Sequence, residues 1–274
     1  MTMQNPFDLS GKTAVITGGG GVLCGGIARH LAERGVRVAV LDLKQEAAET
    51  CAKRINDAGG KAVAIAANVL ERQSLDLALD RCRQELGRVD FLINGAGGNH
   101  PSATTRPDLS FFDIPIDAFN KVMSLNLVGT VLPSMVFGKL MVEQGEGVIL
   151  NVASMNAFRP LTRIPAYSAA KAAVKNFTEW LAVHMAQEYS PKIRVNAIAP
   201  GFMLTEQNRF LLTDKETGEL TARGKSIIAH TPMGRFGTDD DILGTVVWLL
   251  SPAAAFITGI TVPIDGGFSA FSGV

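Results

Sequence analysis

Seven short runs rich in β-branched residues recur along the 274 residues, separated by longer amphipathic stretches: TAVIT at 13, VRVAVLD at 36, KAVAIAANV at 61, VDFLING at 89, GVILNVAS at 147, IRVNAIAP at 193 and ITVPIDGG at 260. Strands that alternate with helices predict a parallel sheet, because parallel neighbours need a long crossover and a helix is the usual one. The runs are apolar almost throughout rather than alternating, which suits strands covered by helices on both faces. The expectation is one α/β, doubly wound domain over residues 1–274 with a seven-stranded parallel sheet, a length that one large core accommodates. No linker, repeat or low-complexity segment interrupts it. Two connections, 98–118 and 202–236, exceed ordinary loops and follow the fourth and sixth strands. Ligands of such sheets bind at the carboxyl ends of strands, so both segments are expected to wall a substrate site.

Charge and composition remove several classes of function. The 26 basic residues balance the 26 acidic ones, and no basic run is interleaved with aromatics, so small molecules are expected as partners rather than nucleic acid. The opening MTMQNPFDLSGK has no charged segment leading into an apolar one. The longest apolar region, 244–260, is broken by Ser251, Pro252 and Thr258. Neither a signal peptide nor a membrane span is expected. Cys24, Cys51 and Cys82 are widely spaced and odd in number, which fits a reducing cytoplasm better than a disulfide framework or a metal site.

The first strand runs into TGGGGVLCGGIARHLAERG, residues 17–35. Glycines let a backbone approach a pyrophosphate, and the following helix offers its positive, amide-bearing end to the anion. Thr17, Gly18, Gly19, Gly21, Val22 and Leu23 are therefore candidate cofactor contacts. The Gly-Lys-Ser or Gly-Lys-Thr of a nucleoside triphosphatase loop is absent. Strand two ends in Asp42, about 24 residues after the turn begins; a carboxylate there accepts both hydroxyls of an adenosine ribose and repels a 2′-phosphate, favouring NAD over NADP. It also reads as an acid capping the next helix. Asn68 and Val69, ending strand three, are placed to meet adenine, and Asn94, Gly95 and Ala96, ending strand four, to form a floor beneath the cofactor. Turn chemistry explains either pair as well.

Strand five delivers Ser154, and a helix expected over 166–189 puts Tyr167 and Lys171 one turn apart on a single face. Two tyrosines and eleven lysines produce Tyr-x-x-x-Lys by chance in about one such chain in twelve, so its setting decides the matter. Bringing a phenol from a pKa of about 10 to about 7 takes roughly 4 kcal/mol of bias toward phenolate, which a neighbouring ammonium helps to supply. A proton donor so tuned is what carbonyl reduction requires.

These pieces together resemble the short-chain dehydrogenase/reductase family over essentially the whole chain: Thr17-Gly18, NGAG at 94, Asn126 in SLNLVGT, Ser154, YSAAK at 167, and Pro200-Gly201 with Thr205. The resemblance implies a catalytic tetrad of Asn126, Ser154, Tyr167 and Lys171, with Pro200, Gly201 and Thr205 near the nicotinamide, NAD(H) as cofactor, and a homotetramer. It also implies that Ser154 and Tyr167 hold the carbonyl oxygen and Tyr167 gives the proton. Lys171 then lowers the phenol pKa and holds the nicotinamide ribose, while Asn126 orders a water. One departure is plain. The family turn reads T-G-x-x-x-G-x-G, whereas Val22 and Cys24 occupy the later glycine positions here, which leaves open which amides reach the phosphates. Cys24 reads as small packing rather than as a reactive thiolate.

Further strings, GGGGVLC, NGAGGNHPSATT, SMNAFRPLTRIPAYSAAK, APGFMLTEQNRFLL, HTPMGRFG and PIDGGFSAFSGV, resemble family members that interconvert D-fructuronate and D-mannonate. A sugar acid asks for arginine at its carboxylate and for amides or hydroxyls elsewhere. Arg159, Arg163 and Arg209 are candidates for the first task, and Asn99, His100, Thr104, Asn156 and Gln207 for the second. Another keto-sugar, a polyol or a 3-oxoacyl group remains open as substrate, as does a dinucleotide-sensing protein without turnover.

Overall fold

The seven runs fold as seven strands in a computed structural model that describes residues 5–204, 209–214 and 217–273. They are β1 (Thr13–Thr17), β2 (Arg37–Asp42), β3 (Lys61–Ala66), β4 (Phe91–Asn94), β5 (Gly147–Val152), β6 (Ile193–Pro200) and β7 (Thr261–Ile264), ordered β3-β2-β1-β4-β5-β6-β7 across one sheet. Every pairing is parallel. The winding reverses at β1, which lies between β2 and β4, and such a switch point opens a crevice above the strand ends. The single α/β, doubly wound arrangement is as the sequence predicts.

Between the strands run α1 (Val22–Glu33), α2 (Gln45–Asp57), α3 (Arg72–Leu86), α4 (Ile116–Met123), α5 (Gly129–Gln144), α6 (Pro165–Glu188), α7 (Arg209–Leu212), α8 (Ala222–Ala229) and α9 (Asp239–Leu250). Alternation along each strand sends neighbours to opposite layers. Ala14, Ile16, Val38 and Val40 pack with Ile27 and Leu31 of α1, Ile55 of α2 and Ile242 of α9. Val15, Ala39, Leu92 and Ile149 face the other way, onto Leu75 of α3, Phe137 and Met141 of α5, and Leu181 and Met185 of α6. Helices on both faces explain the uninterrupted apolar strands.

The stretch Ile116–Gln144 is helical throughout and, by length and composition, apolar enough to cross a membrane; 56% of its most apolar window is buried inside the fold, as in a core helix. A π turn at Ser124–Val128 joins α4 to α5, so Asn126 sits in the one widened turn of that helix. β3 ends three residues earlier than the KAVAIAANV run suggests. The Asn68 side chain accepts from Leu70 N at 3.0 Å, an Asx turn that carries the chain out of the sheet toward α3. After β6 the long connection is stitched at its stem: Gly237 N donates to the Phe202 carbonyl at 3.0 Å and Leu204 N to the Gly237 carbonyl at 2.8 Å.

Candidate active site

Above the switch point lies a crevice of about 740 Å³ walled by Gly18, Gly21 to Cys24, Asp42, Gly95 to Asn99, Ser154, Tyr167, Lys171 and Pro200 to Met203. Five strand ends, those of β1, β2, β4, β5 and β6, and the first turns of α1 and α6 thus meet in one place. Thr205 and Gln207 lie outside the described residues.

The glycine turn answers which amides face the crevice. Gly18 adopts φ +64° and a side chain there would meet Ala96 Cα at 2.9 Å, so glycine is required for the turn to close on β4. Gly19 N donates to the Leu41 carbonyl (2.9 Å), Gly21 N to the Gly18 carbonyl (3.0 Å), and Gly20 N to Asp42 Oδ2 (3.1 Å). Those amides are spent. The first turn of α1, from Val22 to Cys24, follows an N-cap glycine without a side-chain cap, so its amides are the ones free for an anion. Two expected contacts change accordingly. Thr17 is fully buried and its Oγ1 accepts from Gly95 N (3.1 Å) and Ala96 N (3.2 Å), bracing the floor from beneath. Gly19 faces β2, where a Cβ would lie 2.8 Å from Val40 Cγ1.

Asp42 lines the crevice with one oxygen on Gly20 N and the other on Lys44 N (3.0 Å). Each oxygen keeps a lone pair for a ribose hydroxyl. The cap reading is not met: α2 begins after Lys44 with no side-chain cap. Neither Asn68 nor Val69 lines this crevice. The Asn68 amide donates to Glu71 Oε1 at 2.8 Å, and Val69 is buried against Gly129, where a Cβ would meet Val69 Cγ2 at 3.0 Å.

Cys24 occupies the space that a Cβ on Gly95 would take, so the missing glycine of the turn is matched by a present one just after β4. Burial pushes the Cys24 thiol up to about 12, and likewise Cys82; Cys51 is also raised by burial. All three are buried and free. At pH 8 the Cys24 and Cys82 thiolates are populated at roughly one part in ten thousand, so a native sample should react with a disulfide reagent far more slowly than an unfolded one, which releases all three thiols. A fast native phase at pH 8 that disappears in a Cys24 variant would contradict the packing role.

Asn94 turns away from the crevice. It is 1% exposed and its Nδ2 donates to Ser134 Oγ and Asn151 Oδ1, both at 2.9 Å. From Ser134 the chain of bonds runs to the Thr130 carbonyl (2.7 Å), from Thr130 Oγ1 to the Asn126 carbonyl (2.8 Å), and from Asn126 Nδ2 to the Gly98 carbonyl (2.7 Å) and the Val122 carbonyl (2.8 Å). Gly98 N returns a bond to Asn126 Oδ1 at 3.1 Å. Asn126 therefore grips the crevice floor with both side-chain atoms: both Nδ2 hydrogens are engaged, and Oδ1 keeps one lone pair. From Asn151 a second arm reaches Thr178 Oγ1 of α6 at 2.9 Å. This buried network was not read from the sequence. Pro133, which cannot donate to the helix ladder, was the one visible sign that α5 is irregular.

Ser154, 7% exposed, follows β5 and caps a 3₁₀ turn. Tyr167 and Lys171 come from the first turns of α6, which starts at Pro165 in the position where proline suits a helix. The Tyr167 hydroxyl faces Ser154, whose hydroxyl favours the phenolate. Lys171 Nζ donates to the Val152 carbonyl at 2.7 Å and lies 5.6 Å from the Tyr167 ring centre. Burial pulls Lys171 down to about 8. It also pushes Tyr167 above the ordinary phenol value, opposed by the Ser154 hydroxyl. The expectation that Lys171 helps to lower the phenol pKa meets a different arrangement: its ammonium is aimed at a β5 carbonyl, and burial outweighs the lowering by Ser154.

Of the substrate candidates, Asn99 lines the crevice and donates to Thr104 Oγ1 at 2.8 Å. His100 caps the turn Pro101–Ala103, its Nδ1 accepting from Ser102 N. Asn156 is buried, with every side-chain polar atom engaged inside the protein, so it does not face a substrate. Arg159 is exposed and donates through Nε to the Ser269 carbonyl (3.1 Å). The Arg163 carbonyl accepts from Thr105 N (2.9 Å), tying the two flanking loops together. Arg209 opens α7 and is exposed.

Comparison with known proteins places this arrangement. The family model for short chain dehydrogenases matches residues 12–216, and the chain belongs to that family of oxidoreductases. It is 50% identical over 276 residues, 97% of this chain and 98% of the other, to an uncharacterized oxidoreductase, UxuB, of Bacillus subtilis. It is 31% identical over 267 residues, 97% of this chain and 98% of the other, to the 5-keto-D-gluconate 5-reductase of Escherichia coli. Among solved structures, a Haemophilus influenzae protein provisionally named a D-mannonate oxidoreductase, with NAD bound, superposes with a TM-score of 0.91 at 46% identity, covering 97% of this chain and 98% of that one.

Proposed function

We propose that this protein is an NAD(H)-dependent oxidoreductase that reduces the ketone of a sugar acid, D-fructuronate to D-mannonate, and runs the reverse oxidation. The observation that carries the reading is the convergence of Ser154, Tyr167 and Lys171 on the same crevice as Asp42 and the glycine turn. The residues fit a dinucleotide: the free amides of Val22 to Cys24 suit its pyrophosphate, Asp42 its adenosine ribose, Gly95, Ala96, Pro200 and Gly201 its nicotinamide half, and Lys171 the second ribose. When bound, the nicotinamide supplies or accepts the hydride, and its oxidised form brings positive charge into the crevice.

The protein's share is proton handling and positioning. Ser154 and Tyr167 donate to the carbonyl oxygen as it gains charge, and Tyr167 passes its proton to it. Asn126, by holding Gly98, keeps the floor beneath that oxygen. The carboxylate meets one or more of the exposed Arg159, Arg163 and Arg209, and Asn99 and His100 meet hydroxyls. Sugar-acid relatives support the substrate class: beyond those above, the chain is 33% identical to the 2-dehydro-3-deoxy-D-gluconate 5-dehydrogenase of Dickeya dadantii. A panel of D-fructuronate, tagaturonate, 5-keto-D-gluconate, neutral ketoses and an acetoacetyl thioester, followed by NADH oxidation, tests this. D-fructuronate should have the highest kcat/KM; a faster neutral ketose or thioester would overturn the sugar-acid reading, and tight NADH binding with no turnover would indicate a sensor.

For the cofactor, Asp42→Ala should cut the preference for NADH over NADPH by about 100-fold in kcat/KM, because the carboxylate no longer repels a 2′-phosphate. An unchanged ratio would remove Asp42 from cofactor choice. A homo-oligomer, a tetramer as the family resemblance implies, is supported by the outer face of α5 and α6. There Met135, Trp180 and Tyr189 are each more than half exposed around a groove of about 500 Å³, more apolar surface than a water-facing helix pair carries. Three free thiols suit a reducing cytoplasm.

A further inference from the structure

Ser154 must act as a hydrogen-bond donor for the reaction above, yet a serine hydroxyl rotates freely and donates wherever an acceptor offers. The residues around it decide which way it points. Its Oγ accepts from Asn156 N at 3.3 Å and from Asn156 Nδ2 at 3.2 Å. The orientation of that amide is fixed from its other side: Asn156 Oδ1 accepts from Leu161 N at 3.1 Å and from Ser168 Oγ at 3.2 Å. A main-chain N–H can only donate, so the atom facing Leu161 is the oxygen, and the atom facing Ser154 is the nitrogen. Both acceptor positions of Ser154 are then filled by N–H groups. Its one proton is left to donate outward, toward the Tyr167 hydroxyl or an incoming carbonyl oxygen.

We propose that Asn156 is a positioning residue that holds Ser154 in its donor orientation, so that the hydroxyl is aimed before the substrate arrives. This rests on the proton-transfer role given to Ser154 under the proposed function. Asn156 is 6% exposed and touches no crevice surface, so it works through Ser154 rather than on the substrate. Leu161 and Ser168 anchor the far side of the amide, which ties the direction of one proton to the loop before α6 and to the helix that carries Tyr167.

The test is the near-isosteric Asn156→Asp, which keeps an acceptor for Leu161 and Ser168 but replaces the donor facing Ser154 with an acceptor. Ser154 then turns its proton inward. With D-fructuronate, or with 5-keto-D-gluconate if the panel selects it, kcat at neutral pH should fall about 100-fold, the usual effect of losing one donor to a developing oxyanion. KM for the ketone and NADH affinity by fluorescence should stay within about twofold, since no binding contact is removed. As pH falls into the carboxyl range, protonation of the new acid restores a donor, so the variant should regain activity relative to the parent, a pH profile that a merely structural role does not produce. In a Ser154→Ala background, Asn156→Asp should cost nothing further. Wild-type kcat in Asn156→Asp, a raised KM with unchanged kcat, or an additive loss in the double variant would each overturn the proposal. Full activity in Ser154→Ala would instead overturn the role of Ser154, so the two failures are distinguishable.

Discussion

Tyr167→Phe is expected to lower turnover by about 1000-fold or more, the upper part of the range for losing a general acid, while NADH binding stays unchanged. The ring fills the same space without the hydroxyl, so the loss isolates proton transfer from packing. The tyrosine is held protonated at neutral pH, since burial raises its pKa and the Ser154 hydroxyl opposes this only in part. That sign favours the reductive direction, in which Tyr167 must give a proton, and leaves the rate of reduction level from about pH 6 to 8. The oxidative direction needs the phenolate, so its rate should climb with pH across the same range. Stopped-flow NADH binding, with initial rates in both directions, checks both statements. Turnover retained in Tyr167→Phe would remove the phenol from the mechanism, and an oxidation rate that falls with pH would contradict its protonated resting state.

The sheet was legible because strands buried on both faces leave an apolar run that a surface strand does not, and each of the seven runs became a strand in parallel register. The candidate site was legible where chemistry comes from a strand end or a helix repeat: Asp42, Ser154, Tyr167 and Lys171 follow from those rules and meet in one crevice. What stayed hidden is which way a side chain faces at a strand end. Thr17 and Asn94 are the last residues of β1 and β4, yet Thr17 braces the floor from beneath and Asn94 is bonded inside the protein to Ser134 and Asn151. Asn156 shows the same limit. A buried amide and a substrate-binding amide have the same letter, and only the partners Leu161 and Ser168 tell them apart. Lys171 lines the crevice, but its effect on Tyr167 depends on the direction of its ammonium, which the Val152 carbonyl sets.

Replacing Arg194 should be among the most damaging changes to stability. This arginine enters from β6 at 7% exposure, and its guanidinium donates to the carbonyls of Leu249 (2.8 Å), Ile257 (3.3 Å), Leu250 (3.4 Å) and Ser251 (3.3 Å). These are the last carbonyls of α9 and the loop beyond, acceptors that a helix end leaves without partners. A cation there also meets the negative end of the helix dipole. Burial lowers the arginine's pKa, but a guanidinium remains charged across the working range. Arg194→Met keeps much of the volume and removes all the donors, leaving buried carbonyls unpaired at a cost of roughly 3–5 kcal/mol. For a domain of this size that corresponds to a fall of about 10 °C in Tm. Arg194→Lys should lie between, since one ammonium reaches fewer of the four acceptors. β6 continues from Arg194 to Pro200 and Gly201 at the crevice, so a variant that still folds should bind NADH more weakly as well. A Tm within about 3 °C of the parent for Arg194→Met would show that water, not the guanidinium, satisfies the end of α9.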